Sequence, residues 1–265
     1  MNLLRREIQS DDGTKIPVWL SGSGPPLLII HGAATNHRSW NSLRPYLQQK
    51  MTVAAIDRRA TSGDPFSNLD LQREFEDVAA VARSLGPDVS LFGHSSGALC
   101  ALGAALLLPD LKNMMLYEPP LEEGRKYPKA LIKLNSSMKT GDIDGVYDAW
   151  LKDYVGIPPS VAEELKASPI GKEIRAFAEF LPREMAAHLD WNAREQDFTK
   201  IQARTTYFVG SETPLESDLL RGFEKLLENS ITEFKSLEIS GQGHFANFLN
   251  PGLLAELIID CVNSV

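Results

Sequence analysis

The sequence predicts an α/β protein: a mainly parallel central sheet with helices on both faces, interrupted once by a helical insertion. Three observations carry this. Short apolar runs alternate with longer amphipathic ones along most of the chain. The central runs are apolar throughout, as strands covered on both faces must be. The alternation breaks at Pro119-Pro120 and resumes after residue 200. At 265 residues the chain supports one substantial core and a modest insertion better than two full domains.

Taken in order, KIPVWLSG and PPLLIIHG read as strands, RSWNSLRPYLQQK as a helix kinked or started by Pro45, and MTVAAIDRR as another buried strand. The polar loop ATSGDPFSNLD leads into LQREFEDVAAVARSLG, where Phe75, Val78, Ala82 and Leu85 fall on one helical stripe. Gly86 and Pro87 end that helix as a cap and a breaker. DVSLFG is a strand, GALCALGAALLLP a helix and LKNMMLYEPP a strand.

From 121 to 200 the patterns are helical only, and SVAEEL reads as a capping box of Ser160 with Glu163. RTTYFVG (strand), LESDLLRGFEKLLEN (helix), ITEFKSLEIS (strand) and NPGLLAELIIDCV (helix) restore the alternation. In the last, Asn250 and Pro251 suit the N-cap and first helical position. The expected division is a core domain of 1–120 and 201–265 and a helical lid of 121–200.

Composition removes several function classes. A formal net charge of −8 argues against a nucleic-acid or anionic-membrane partner, which needs clustered Lys and Arg. RREIQSDDGTK is polar and has no apolar core, so it is not a signal peptide. The apolar run ALCALGAALLL (98–108) reaches only about half the roughly 20 residues that span a bilayer. The two cysteines, Cys100 and Cys261, sit in apolar helical stretches where a free thiol acts as a small hydrophobe. A cytoplasmic protein acting on a small-molecule substrate is expected, with its oligomeric state open.

The chemistry centres on VSLFGHSSGALC. Gly93-His94-Ser95-Ser96-Gly97 fits G-x-S-x-G between an apolar strand and a small-residue helix, the context of a nucleophile elbow. The bland alternative is a turn that happens to be built from small residues. A turn tight enough to expose Ser95 leaves no room for side chains two residues away, which accounts for glycine at 93 and 97. The amide of Ser96 then faces the place where an oxyanion forms.

A hydroxyl needs a base at neutral pH. Of the five histidines, His244 lies in the glycine-rich loop SGQGHFANF between the last strand and last helix, at a strand's carboxyl end. The bland alternative is an exposed loop histidine. Ala33, in IIHGAATN, supplies the second oxyanion amide, and His31 braces that loop.

HGAATNHRSW, AAIDRRATSGDP, LFGHSSGA, LYEPPL and GQGHFANF, in that order, resemble the α/β-hydrolase superfamily, most closely its small bacterial members with a helical cap. The resemblance covers nearly the whole chain. It implies a serine hydrolase with a Ser–acid–His triad, no cofactor and no metal. Serine at the elbow argues against the haloalkane dehalogenases and epoxide hydrolases, which have aspartate there.

One position departs from the family pattern. The usual acid follows the next-to-last strand, and in VGSETPLES that position is Thr213, which cannot ionise. Two carboxylates are the candidates. Glu118 ends the strand after the elbow, where some superfamily members carry their acid, and Glu212 sits one residue before Thr213. Glu118 is favoured, because an offset of one residue points a side chain elsewhere; its bland alternative is a salt bridge anchoring the cap. Asp57 and Arg58 are expected to brace loops. Tyr147, Trp150, Phe177 and Trp191 either wall a pocket or form the lid's own core.

The expected reaction is hydrolysis of a small, mostly apolar carboxylic ester or related acyl compound through an acyl-enzyme. The same triad also serves a thioesterase, an acyl transferase, a C–C bond hydrolase or a cofactor-free haloperoxidase. Thr213 leaves a ligand-binding protein without catalysis as the non-enzymatic alternative.

Overall fold

The computed structural model describes residues 3–120, 127–213 and 217–264, leaving aside the side chains at 127–128 and 217–221. The boundary expected at residue 121 lies outside the described residues.

The chain opens with β1 (Leu4–Gln9), β2 (Lys15–Gly22) and β3 (Pro26–Ile30), a 3₁₀ turn at His37–Trp40, and α1 (Arg44–Leu47). The long helix expected here is therefore two short turns, the second started by Pro45. Next come β4 (Thr52–Ile56), α2 (Leu71–Leu85), β5 (Ser90–His94), α3 (Ser96–Ala105) and β6 (Asn113–Tyr117). The helices α4 (Tyr127–Lys139), α5 (Ile143–Ala149), α6 (Pro159–Ala167), α7 (Pro169–Arg175) and α8 (Leu181–Asp190) follow. The chain returns through β7 (Arg204–Gly210), α9 (Ser217–Glu228), β8 (Phe234–Ile239), α10 (Ala246–Leu249) and α11 (Pro251–Asn263).

Among the described residues eight strands form one sheet in the order β1-β2-β4-β3-β5-β6-β7-β8. The pairs β1–β2 and β2–β4 are antiparallel and the rest are parallel. Strand β1 is one the apolar pattern does not announce. LRREIQ is almost entirely exposed, so no hydrophobic signal marks it, and its charges suit an unpaired sheet edge. Strands β6 and β7 pair directly, Asn113 opposite Arg204, so the helices between them leave the sheet unbroken.

Side chains alternate between two cores, as the period of a strand requires. Leu28, Ile30, Ala54, Leu91, Met114 and Tyr207 face α2 and α3, where Phe75, Val78 and Leu102 meet them. Leu27, Ile29, Ala55, Phe92, Met115 and Phe208 face the other side, with Trp40, Leu254 and Ile258. Each large apolar side chain removed from water contributes roughly 1.5–3 kcal/mol. A third apolar cluster belongs to the helical segment: Leu134, Val146, Tyr147, Trp150, Ile174, Leu181 and Met185 pack together and reach Ala33 and Ala34 on the β3 exit loop.

Capping follows the sequence in part. Gly86 ends α2 at φ 104, and the Asn250 side chain caps α11 ahead of Pro251. The capping box at Ser160 does not form: α6 already begins at Pro159, with Pro158 as its N-cap, so Ser160 lies inside the first turn. Both cysteines are free and buried. Among the described residues no helix is long and apolar enough to cross a membrane.

The helical segment is tied to the sheet by polar contacts. Arg58, beyond β4, is 2% exposed and pairs with Glu74 of α2 and, at 2.9 Å, with Glu184 of α8. Arg183 of α8 donates to the carbonyls of Arg59, Ala60, Ser62 and Asp64 at 2.6–2.9 Å. Arg58 thus braces a loop, as expected. Asp57 does the same, accepting from the Trp19 indole, the His37 backbone and the His37 ring.

Candidate active site

Parallel sheets bind ligands beyond their carboxyl ends, at the point where neighbouring strands lead away in opposite directions. Here that point lies at β3 and β5, because β3 pairs with β4 on one side and β5 on the other. Three strand exits meet there. Among the described residues the non-glycine residues with positive φ are Ala34 (49°), Ser95 (53°) and Glu118 (46°), one just past each of β3, β5 and β6. L-residues avoid this region at a cost of about 1–3 kcal/mol each, so three in one corner mark a site held in shape by its surroundings.

The elbow explains its own glycines. A Cβ on Gly97 would strike the carbonyl oxygens of Ile30 and His31, and one on Gly93 would strike that of Gly97. The Ser95 amide continues the ladder by donating to Tyr117 O at 2.8 Å. Ser96 opens α3, so its amide lies among those without an intrahelical acceptor.

Glu118 is 1% exposed and joined on two sides. Its Oε2 lies 2.5 Å from His244 Nδ1. Its Oε1 accepts from the Gly210 amide at 2.7 Å and from the Thr213 hydroxyl at 2.6 Å. A carboxylate taken out of water needs such partners. Thr213 is therefore a donor to Glu118. Glu212 is exposed, and its amide donates to Gln242 O at 2.8 Å.

The loop that carries His244 is fixed from beneath. Burial, with His244 beside it, pushes the His94 imidazole well below its usual range, so the ring is neutral. Its Nε2–H donates to His244 O at 2.7 Å, and the Tyr117 hydroxyl donates to Gly243 O. Burial, and then the Arg58 charge, push His31 down to about 4. Its Nδ1–H donates to Gly32 O at 2.8 Å while Nε2 accepts from the Arg58 amide at 3.1 Å, so it braces the β3 exit loop.

Ser95, His244 and Ala33 line one narrow cleft, with Gly32, Thr35, Ser39, His94, Trp150, Ile174, Phe245, Asn247 and Phe248. Ser96, the buried first residue of α3, is not among the residues that line it. Of the aromatic residues singled out in the sequence, Trp150 reaches the cleft. Tyr147 stacks on it from the third cluster, Phe177 packs in that cluster, and Trp191 packs on Phe75 and Phe198. The supporting roles of His94, Tyr117, Gly210 and Thr213 have no local signal, because each depends on a residue at least 92 positions away.

A model of the alpha/beta hydrolase family matches residues 27–257. The 2-(acetamidomethylene)succinate hydrolase of Mesorhizobium japonicum is 33% identical over 92% of this chain and 90% of its own length. The (E)-2-((N-methylformamido)methylene)succinate hydrolase of Acinetobacter baylyi is 26% identical over 54% of this chain and 56% of its own. The crystal structure of an alpha/beta hydrolase from Sphaerobacter thermophilus superposes with a TM-score of 0.77 at 26% identity, over 96% of this chain and 99% of that one.

Proposed function

The chain belongs to the alpha/beta hydrolase family and is a hydrolytic enzyme, and from that premise we propose a serine hydrolase cleaving a small, mostly apolar carboxylic ester or related acyl compound. The observation that carries this is the 2.5 Å contact of Glu118 Oε2 with His244 Nδ1, beside a cleft lined by both His244 and Ser95.

His244 Nε2 takes the Ser95 proton as Oγ attacks the carbonyl, and gives it to the leaving oxygen as the acyl–oxygen bond breaks. Water then repeats the sequence on the acyl-enzyme and releases the acid. Glu118 holds Nδ1–H toward itself and balances the imidazolium that forms. The amides of Ala33 and Ser96 receive the oxyanion, each worth about 10²–10³ in turnover. Helices α4–α8 form a lid, a reading supported by Trp150 and Ile174 in the cleft wall. The apolar faces of Trp150, Ile174, Phe245 and Phe248 favour an apolar acyl or leaving group.

A second reading keeps the triad and cleaves an amide. It rests on the two relatives whose names specify acetamido- and formamido-bearing succinates. The non-catalytic binding protein that Thr213 alone would suggest is set aside by the family.

A fluorophosphonate probe should label Ser95, with labelling lost in Ser95→Ala, and an activated phenyl ester should give a burst of phenol. Folded protein that takes up no label would overturn the proposal.

A further inference from the structure

Asn247 lies in α10, three residues after His244, and lines the cleft. It is 1% exposed, yet neither its Oδ1 nor its Nδ2 has a hydrogen-bond partner. A buried amide left unpaired is costly, and native structures rarely keep one without a use.

The other polar groups of the wall are committed. Ser39 Oγ donates to Asn36 O at 2.8 Å and Thr35 Oγ1 to Gly32 O at 3.0 Å, leaving those hydroxyls only as acceptors. His94 Nε2 is taken by His244 O. Among the described residues lining the cleft there is no Lys, Arg, Asp or Glu. A carboxylate on the substrate would lose its water there and find no cation, whereas a neutral donor–acceptor pair would meet both halves of the Asn247 amide.

Resting on the serine-hydrolase reading, we propose that Asn247 is a specificity-determining residue that receives a neutral amide, or a like donor–acceptor group, carried by the substrate beside its scissile carbonyl. The competing role is structural. Trp40, on the 3₁₀ turn that α10 packs against, also has a buried indole N–H without a partner, so Asn247 would then serve only that corner.

The experiment uses three phenyl esters of similar length: phenyl N-acetylglycinate, phenyl pentanoate and the anionic monophenyl glutarate. The wild type should favour the first by kcat/KM and the anion least. Asn247→Leu should lower the ratio of the first to the second on the order of tenfold, mainly through KM. Asn247→Asp, which keeps an acceptor and loses the donors, should fall between them. Fluorophosphonate labelling of each variant checks that the nucleophile remains assembled. An unchanged ratio, with both esters losing turnover alongside a lower Tm, would make Asn247 structural and overturn the proposal. A wild-type preference for the anion would overturn it equally. Failure of the wild type to take up the label would instead sink the serine-hydrolase reading beneath it.

Discussion

Among the described residues, two buried carboxylate sites lie beside an imidazole, and they differ in what faces them. Glu118 meets His244, whose side chain is 25% exposed and opens on the cleft. Glu74 and Glu184 meet Arg58, with His31 and His188 close by, all 0–2% exposed. Burial alone would raise the Glu184 carboxyl, but Arg58, His188 and His31 together hold the group below the usual carboxylate range. A guanidinium keeps its proton at any working pH, so the Arg58 cluster is a fixed brace joining α2 and α8 to the exit of β4. An imidazole can gain and lose a proton, so Glu118 faces no fixed cation. The salt bridge that anchors the helical segment is made by Glu184 and not by Glu118.

The largest expected effect breaks the first cluster. Glu118→Gln should lower kcat by about 10⁴ with Tm little changed, because the amide no longer balances the imidazolium or fixes its tautomer. Glu212→Gln should leave kcat where it is, since that side chain is exposed. Steady-state rates on one phenyl ester test both, and the reverse pattern would move the acid to the other strand. The second cluster should break differently. Arg58→Met leaves two buried carboxylates unpaired and should cost about 3–5 kcal/mol by urea unfolding. A large loss of kcat at unchanged stability would erase the distinction between the clusters.

That contrast also shows what the sequence makes legible. The elbow, the parallel strands and the loop of His244 are local patterns of apolar period and glycine placement, and they can be read in a window of a dozen residues. Strand β1 cannot, because an edge strand exposed on both faces has no period to show. Ser160 looks like a cap because the motif is local, yet Pro158-Pro159 starts the helix before it. Arg58 is legible as a brace, but its partner Glu184 lies 126 positions on, and only the fold brings them together. Thr213 reads as a missing acid until the strand exits are placed side by side; its hydroxyl is then a donor to Glu118.

Acid should strain both regions together, by a smaller amount. In the folded protein His31 titrates near 4, against about 6.5 in the unfolded chain. Between those values the unfolded chain holds a proton that the folded one refuses, so stability falls as pH drops through the window. The loss amounts to on the order of 3 kcal/mol once pH reaches the folded value. His94, also lowered, acts in the same direction beneath the His244 loop. Urea midpoints at pH 7.5, 5.5 and 4.5 should decline in that order. A flat profile would mean that neither ring is buried in its neutral form.

The smallest effect sharpens the comparison most, because it asks whether Glu118 is tuned as well as placed. Thr213→Val keeps the shape and removes one donor from Oε1, while the Gly210 amide still holds that oxygen. A carboxylate with one donor fewer is less firmly oriented, which should cost about tenfold in kcat, equivalent to roughly 1.4 kcal/mol. Thr213→Ser, which restores the hydroxyl, should bring the rate back. A merely structural threonine would change Tm and leave kcat in place. In that case Glu118 would act with the backbone amide alone, and the hydroxyl at position 213 would have no share in the chemistry.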